Sequence, residues 1–148
     1  MSIKNYTSAT PAWKSINNIE KYLVAAGATD ISKKYENGIC TAITFRMVIR
    51  PDYHTLFFQL PAKVEACFDV FWKEIKQPKK DTKLRIREQA ERTAWKIVCD
   101  WVQVQLSMIQ LDQAEIVEVF LPYVYDPRTD QTFYHKIKDN AYKQLIAP

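Results

Sequence analysis

The stretch Asp30-Ile31-Ser32-Lys33-Lys34-Tyr35-Glu36-Asn37-Gly38-Ile39-Cys40-Thr41-Ala42-Ile43-Thr44-Phe45-Arg46-Met47 decides the fold. Its pivot is Asn37-Gly38. Both residues tolerate positive φ, which a tight hairpin turn demands. Upstream, Asp30 to Tyr35 has strand character. Downstream, Ile39, Thr41, Ile43, Phe45 and Met47 alternate with Cys40, Ala42, Thr44 and Arg46. Period two marks a half-buried strand. Arg50-Pro51-Asp52 breaks it, and Tyr53 to Leu60 reads as a third strand centred on Leu56, Phe57 and Phe58. The segment therefore predicts a three-stranded antiparallel sheet.

Helical patterns flank this sheet. Thr10 as cap and Pro11 in the first turn open a helix in which Trp13, Ile16, Ile19, Leu23 and Ala26 recur, and Gly27 is placed to end it. After the sheet, Leu60-Pro61 introduces a second helix with an apolar stripe of Val64, Cys67, Phe68, Phe71, Trp72 and Ile75, stopped by Pro78. A long helix runs from about Thr82 to about Gln110. Its second half is apolar over most of its circumference, so it belongs at the centre of the fold or against a second copy of the chain. Asp112 with Glu115 resembles a capping box for a short helix ending before Pro122; Asp126-Pro127-Arg128 is a turn; residues 133–146 form a loose helical pattern. Residues 1–9 are polar and expected to be a flexible tail. A helix, a run of strands, then a run of helices indicates an α+β fold, with residues 1–148 as a single domain.

Composition removes several function classes. The 148 residues hold only two glycines, too few for a phosphate-binding loop or a dinucleotide fingerprint. Cys40, Cys67 and Cys99 lie far apart in apolar settings, which predicts buried thiols in a reducing cytoplasm rather than a zinc or redox motif. His54 and His135 have no nucleophile elbow or flanking glycines beside a cysteine. Asp126 and Asp130 have Arg128 between them, which argues against a cation. No apolar run approaches the ~20 residues of a membrane span, and Met1-Ser2-Ile3-Lys4-Asn5 lacks a signal-peptide core. A non-enzymatic cytoplasmic protein, with no cofactor and no metal, is the expectation.

Charge gives the positive lead. Between Lys73 and Lys96, nine bases face four acids, a local excess of +5. The whole chain carries +4, so the remainder is −1. Clustered Lys and Arg dominate affinity for phosphate backbones. Lys79, Lys80, Lys83, Arg85, Arg87, Arg92 and Lys96 are the predicted phosphate contacts of an electrostatic, largely sequence-independent nucleic-acid interface. The plain alternative is a solvated face with Asp81–Arg85 and Glu88–Arg92 closed as i,i+4 pairs. A further alternative is a protein-docking inhibitor or adaptor that uses the same patch or an exposed strand edge. The four tryptophans sit on helical stripes and are expected in the core, with Trp13 the most exposed.

The stretch Gln89-Ala90-Glu91-Arg92-Thr93-Ala94-Trp95-Lys96-Ile97-Val98-Cys99-Asp100-Trp101-Val102, with Gly27-Ala28-Thr29, Leu60-Pro61-Ala62 and Val119-Phe120-Leu121-Pro122-Tyr123, resembles a set of small bacteriophage and mobile-element proteins over nearly the whole chain. The resemblance implies origin in a host cytoplasm and a role in DNA replication, recombination or interference with host defence, for instance against a defence nuclease. It implies no site residue or cofactor. The helix–strand–strand–strand–helix opening is also similar to a double-stranded-RNA-binding domain. That family grips phosphates with lysines at the start of its second helix. Here Lys63 stands alone there, beside Glu65, so the analogy extends to fold and not to RNA binding.

Overall fold

The computed structural model describes residues 3–148. Helix α1 (Ala12–Ala25) leads into strands β1 (Asp30–Glu36), β2 (Ile39–Ile49) and β3 (His54–Pro61), which pair in sequential order as an antiparallel sheet. Helices α2 (Val64–Lys73), α3 (Thr82–Gln110) and α4 (Ile116–Phe120) follow. A 3-10 turn (Leu121–Tyr123), a small hairpin of β4 (Tyr125–Asp126) and β5 (Gln131–Thr132), helix α5 (Phe133–Asp139) and a 3-10 turn (Lys143–Leu145) complete the chain. This is the expected α+β class with its long central helix.

The punctuation works as read. Gly27 takes φ +111°, the Ala28 N–H donates to the Leu23 carbonyl and the Gly27 N–H to the Val24 carbonyl. That double bond pattern closes α1 in a Schellman motif. Asn37 and Gly38, at φ +51° and +78°, form the two-residue turn between the paired residues Glu36 and Ile39.

Alternation in β2 holds only in part. Lys34 pairs with Ala42 but Tyr35 pairs with Cys40, so Thr41 is an extra, bulged residue. The bulge inverts the pleat. Cys40 joins Ile43, Phe45 and Met47 on the core face, while Ile39, which strict alternation would bury beside them, stays half-buried. Buried Trp95 of α3 donates its indole N–H to the Cys40 carbonyl at 2.8 Å, tying the strand beside the bulge to the central helix.

The sheet packs its inner face on α1 and α3. Phe45 stacks on Phe58 at 5.1 Å between centroids, and Phe120 meets both rings edge-on. Trp101 closes the group against Phe120 at 5.6 Å. Each such contact adds about 0.5–1.5 kcal/mol beyond burial, which pins short α4 onto the sheet. Ile19 and Leu23 of α1 and Val102 of α3 are fully buried in the same cluster. The three cysteines are free and buried, and burial pushes all three thiols upward, Cys67 to about 11. Trp13 is exposed, as expected; Trp72 and Trp101 are half-buried rather than fully inside.

Several local expectations are corrected. Pro11, not Thr10, is the cap residue of α1, and no side chain bonds there. Helix α2 begins at Val64, three residues past Pro61, because Leu60 and Pro61 still belong to β3. The capping box is formed by Glu115 and Glu118, not by Asp112 and Glu115. The last helix ends at Asp139 rather than running on to residue 146, whereas the Asp126-Pro127-Arg128 turn is present as the turn of the β4–β5 hairpin.

The tail expectation is corrected for residues 3–9; Met1 and Ser2 lie outside the described residues. Asn5 Nδ2 donates to Asp100 Oδ2 (2.9 Å), Thr93 Oγ1 donates to the Asn5 carbonyl (2.9 Å), and the Ser8 carbonyl accepts from Gln89 Nε2 and Arg92 Nε. The segment is strapped along α3 by polar bonds, which is why its polarity read as disorder.

Candidate nucleic-acid interface

The basic segment occupies the α2–α3 connection and the first half of α3. Lys79, Lys80, Lys83 and Arg85 are exposed. None of the four is in an ion pair among the described residues, and neither Asp81–Arg85 nor Glu88–Arg92 closes as a pair. Lys73 and Lys76, just before them, are exposed and unpaired too. Sequence reasoning counted their charge without placing them at the interface; the Pro78 stop was the signal that they share its corner.

Helical geometry divides the rest. At about 100° per residue, Lys83 and Arg87 lie on one stripe, and Arg85, Arg92 and Lys96 on another, roughly 140–180° away from Arg87. The first stripe runs along α2. There the Arg87 guanidinium sits 4.3 Å over the Phe68 ring and binds Glu65 Oε1 at 2.7 Å. Both partners are well exposed, so this pair adds little stability and can exchange partners.

On the second stripe the strap engages Arg92 and Lys96, while Arg85 stays exposed. Arg92 gives Nε to the Ser8 carbonyl (3.2 Å) and Nη2 to Gln89 Oε1 (2.6 Å). Lys96 Nζ binds Asp100 Oδ1 at 2.9 Å, with Lys4 at 3.5 Å on the other oxygen. Burial alone would raise the Asp100 carboxyl; the hydrogen bonds from Asn5 and Lys96 outweigh it and hold the group below its ordinary value. The Lys96 ammonium is raised in turn, chiefly by its bond to Asp100. The single seven-residue ridge is therefore corrected. Arg92 and Lys96 face α1 and the strap, Lys79, Lys80, Lys83 and Arg87 remain on the α2 side, and Arg85 is exposed on the far side of the first turn of α3.

A cleft of about 960 Å³ opens at the other end of α2. Its floor is the outer sheet face around Ala42 and Pro61, a register pair. Lys34, Lys63, Arg87, Tyr123, Tyr134 and His135 are on its walls. Arg87 thus belongs both to the cleft and to the Lys83 stripe. Nothing in the sequence places Tyr134 and His135 beside Lys34, since a hundred residues separate them. His135 is set by Thr132, whose Oγ1 lies 2.8 Å from Nδ1 and accepts the His135 backbone N–H.

No three histidine, cysteine or acidic side chains are grouped to hold a metal ion among the described residues, and no helix is long and apolar enough to cross a membrane. Asp126 binds Lys136 (2.8 Å) and Arg128 (3.2 Å), which hold its carboxyl well below the carboxylate range. Comparison with known proteins returns no match: no family model, no curated protein and no solved structure.

Proposed function

We propose that this protein is a non-enzymatic nucleic-acid-binding accessory protein whose phosphate contacts lie at the α2–α3 corner: Lys79, Lys80, Lys83 and Arg87, with Arg85 across the first turn of α3, flanked by Lys73 and Lys76. Affinity is electrostatic and largely independent of sequence. Arg92 and Lys96 are positioning residues for the N-terminal strap and make no phosphate contact.

One observation carries this reading. The first turn of α3 holds Lys83 and Arg85 and no acid. The positive end of a helix dipole disfavours cations there by about 0.3–1 kcal/mol each. Asp81 precedes the helix, yet its side chain caps nothing. A row of unpaired cations set against the dipole is locally unfavourable in the free protein. Such a conflict is expected where a ligand resolves it, and a polyanion relieves both the mutual repulsion and the exposed N–H groups.

Fluorescence anisotropy of a labelled DNA duplex at low salt tests the proposal. Binding is expected, and the double variant Lys79→Glu/Lys80→Glu is expected to weaken it at least tenfold. No binding at low salt, or binding indifferent to that variant, overturns it.

A further inference from the structure

We propose that the cleft between the outer sheet face, the start of α2 and α5 takes one nucleotide unit, its base against Tyr134 and its phosphate toward Lys63 and Lys34. Where that nucleotide belongs to a strand, the inference rests on the nucleic-acid reading above. A free nucleotide offers the same chemistry and needs only the cleft.

Size sets the ligand class. About 960 Å³ is at the upper end of small-molecule sites, which run from roughly 300 to 1,000 Å³. The walls then select the chemistry. Tyr123 is held edge-on against Trp101 at 5.6 Å, so one wall is a fixed aromatic. Tyr134 is 45% exposed, which leaves ring surface for a flat partner, and His135 meets it edge-on at 6.0 Å. Aromatic rings serve any base, because every base has a π-face.

The opposite side is cationic. Lys63 is exposed and in no ion pair among the described residues. Lys34 faces Glu36 at 3.7 Å, a contact between two half-exposed side chains that holds the ammonium weakly. The other acid on the cleft wall, Glu65, is paired with Arg87 in the free protein. Thr132 Oγ1 accepts the His135 backbone N–H and lies 2.8 Å from Nδ1, which fixes the imidazole in the cleft wall as a further polar group. Aromatic walls, weakly held or unpaired ammonium groups and a fixed imidazole together match a base with its phosphate. A purely apolar ligand would leave the cations unused.

The test is amide chemical-shift mapping of the full chain titrated with adenosine 5′-monophosphate, adenosine, inorganic phosphate and a single-stranded oligothymidylate. The monophosphate is expected to move the Lys63, Tyr134 and His135 amides saturably, and more tightly than adenosine or phosphate alone. Tyr134→Ala is expected to weaken it about fivefold or more, with Tyr134→Phe close to wild type and Lys63→Glu weakened as well. The dispersion of each variant's spectrum verifies folding. No saturable shift in the cleft, or affinity unchanged by Tyr134→Ala and by Lys63→Glu, overturns the inference. The two readings separate cleanly. Oligonucleotide shifts confined to residues 73–87, with no monophosphate shift in the cleft, overturn the cleft and keep the corner. Monophosphate in the cleft without oligonucleotide binding keeps the cleft and overturns the corner.

Discussion

Replacing Asp100 by alanine removes the group that fastens the N-terminal strap to α3. Asp100 holds Asn5 at 2.9 Å, Lys96 at 2.9 Å and Lys4 at 3.5 Å. The three contacts differ in weight. The amide-to-carboxylate bond from Asn5 is charge-assisted and partly buried, about 1.5 kcal/mol. The Lys96 pair is an i,i+4 pair with both members partly exposed, about 0.3–0.5 kcal/mol. Lys4, with 68% of its side chain exposed, adds almost nothing. The loss should be about 2 kcal/mol, which moves a urea midpoint down by about 1 M at a typical slope for this size. Hydrogen exchange at residues 3–9 should accelerate in the same variant. Asn5→Ala should reproduce most of the loss, and the double variant should add little to either single change. A midpoint within 0.3 M of wild type (roughly 0.5 kcal/mol at the same slope), with strap amides exchanging as slowly as before, would refute this account of the segment.

Acid should act through the same carboxylate. The folded-state value of Asp100 lies below its ordinary 3.8. Its contribution is therefore complete above that value and is lost as pH falls through the lower folded one. Asp126 is depressed in the same sense by Lys136 and Arg128, so strap and C-terminal hairpin should both loosen only in strong acid.

Two further substitutions probe the core and its borders. Ser15 is fully buried and its hydroxyl has no hydrogen-bond partner among the described residues; Ser15→Ala should raise stability by about 1 kcal/mol, read as a higher thermal midpoint, and a clear loss would mean the hydroxyl is bonded in solution. Gly27→Ala should cost about 1 kcal/mol by denaturant unfolding, because φ is +111° while the nearest atom, Met47 Cε at 3.8 Å, leaves room for a methyl.

Legibility followed the range of the physics involved. Asn37-Gly38 and Gly27 act through their own backbone angles, so the hairpin and the end of α1 could be read from adjacent residues. The span of α3 was readable because its apolar stripe repeats locally. The Thr41 bulge was not, since it is fixed by the register against β1 and by Trp95 more than fifty residues later. The strap failed for the same reason: Asn5, Ser8, Gln89 and Asp100 are ordinary polar residues until the fold brings them together. Charge counting located the basic segment but not its partition, because only the docked strap claims Arg92 and Lys96. The cleft left no sequence signal, as its walls come from β1, α2, α3 and α5.

The partition of the basic segment is the central claim, and the salt dependence of duplex binding measures it residue by residue. Each phosphate contact contributes about 0.9 to the slope of log affinity against log salt. Lys80→Gln and Lys83→Gln should each flatten the slope by about that amount, while Lys96→Gln should leave it unchanged. Equal flattening by Lys96→Gln, or none by Lys80→Gln and Lys83→Gln, would contradict the account.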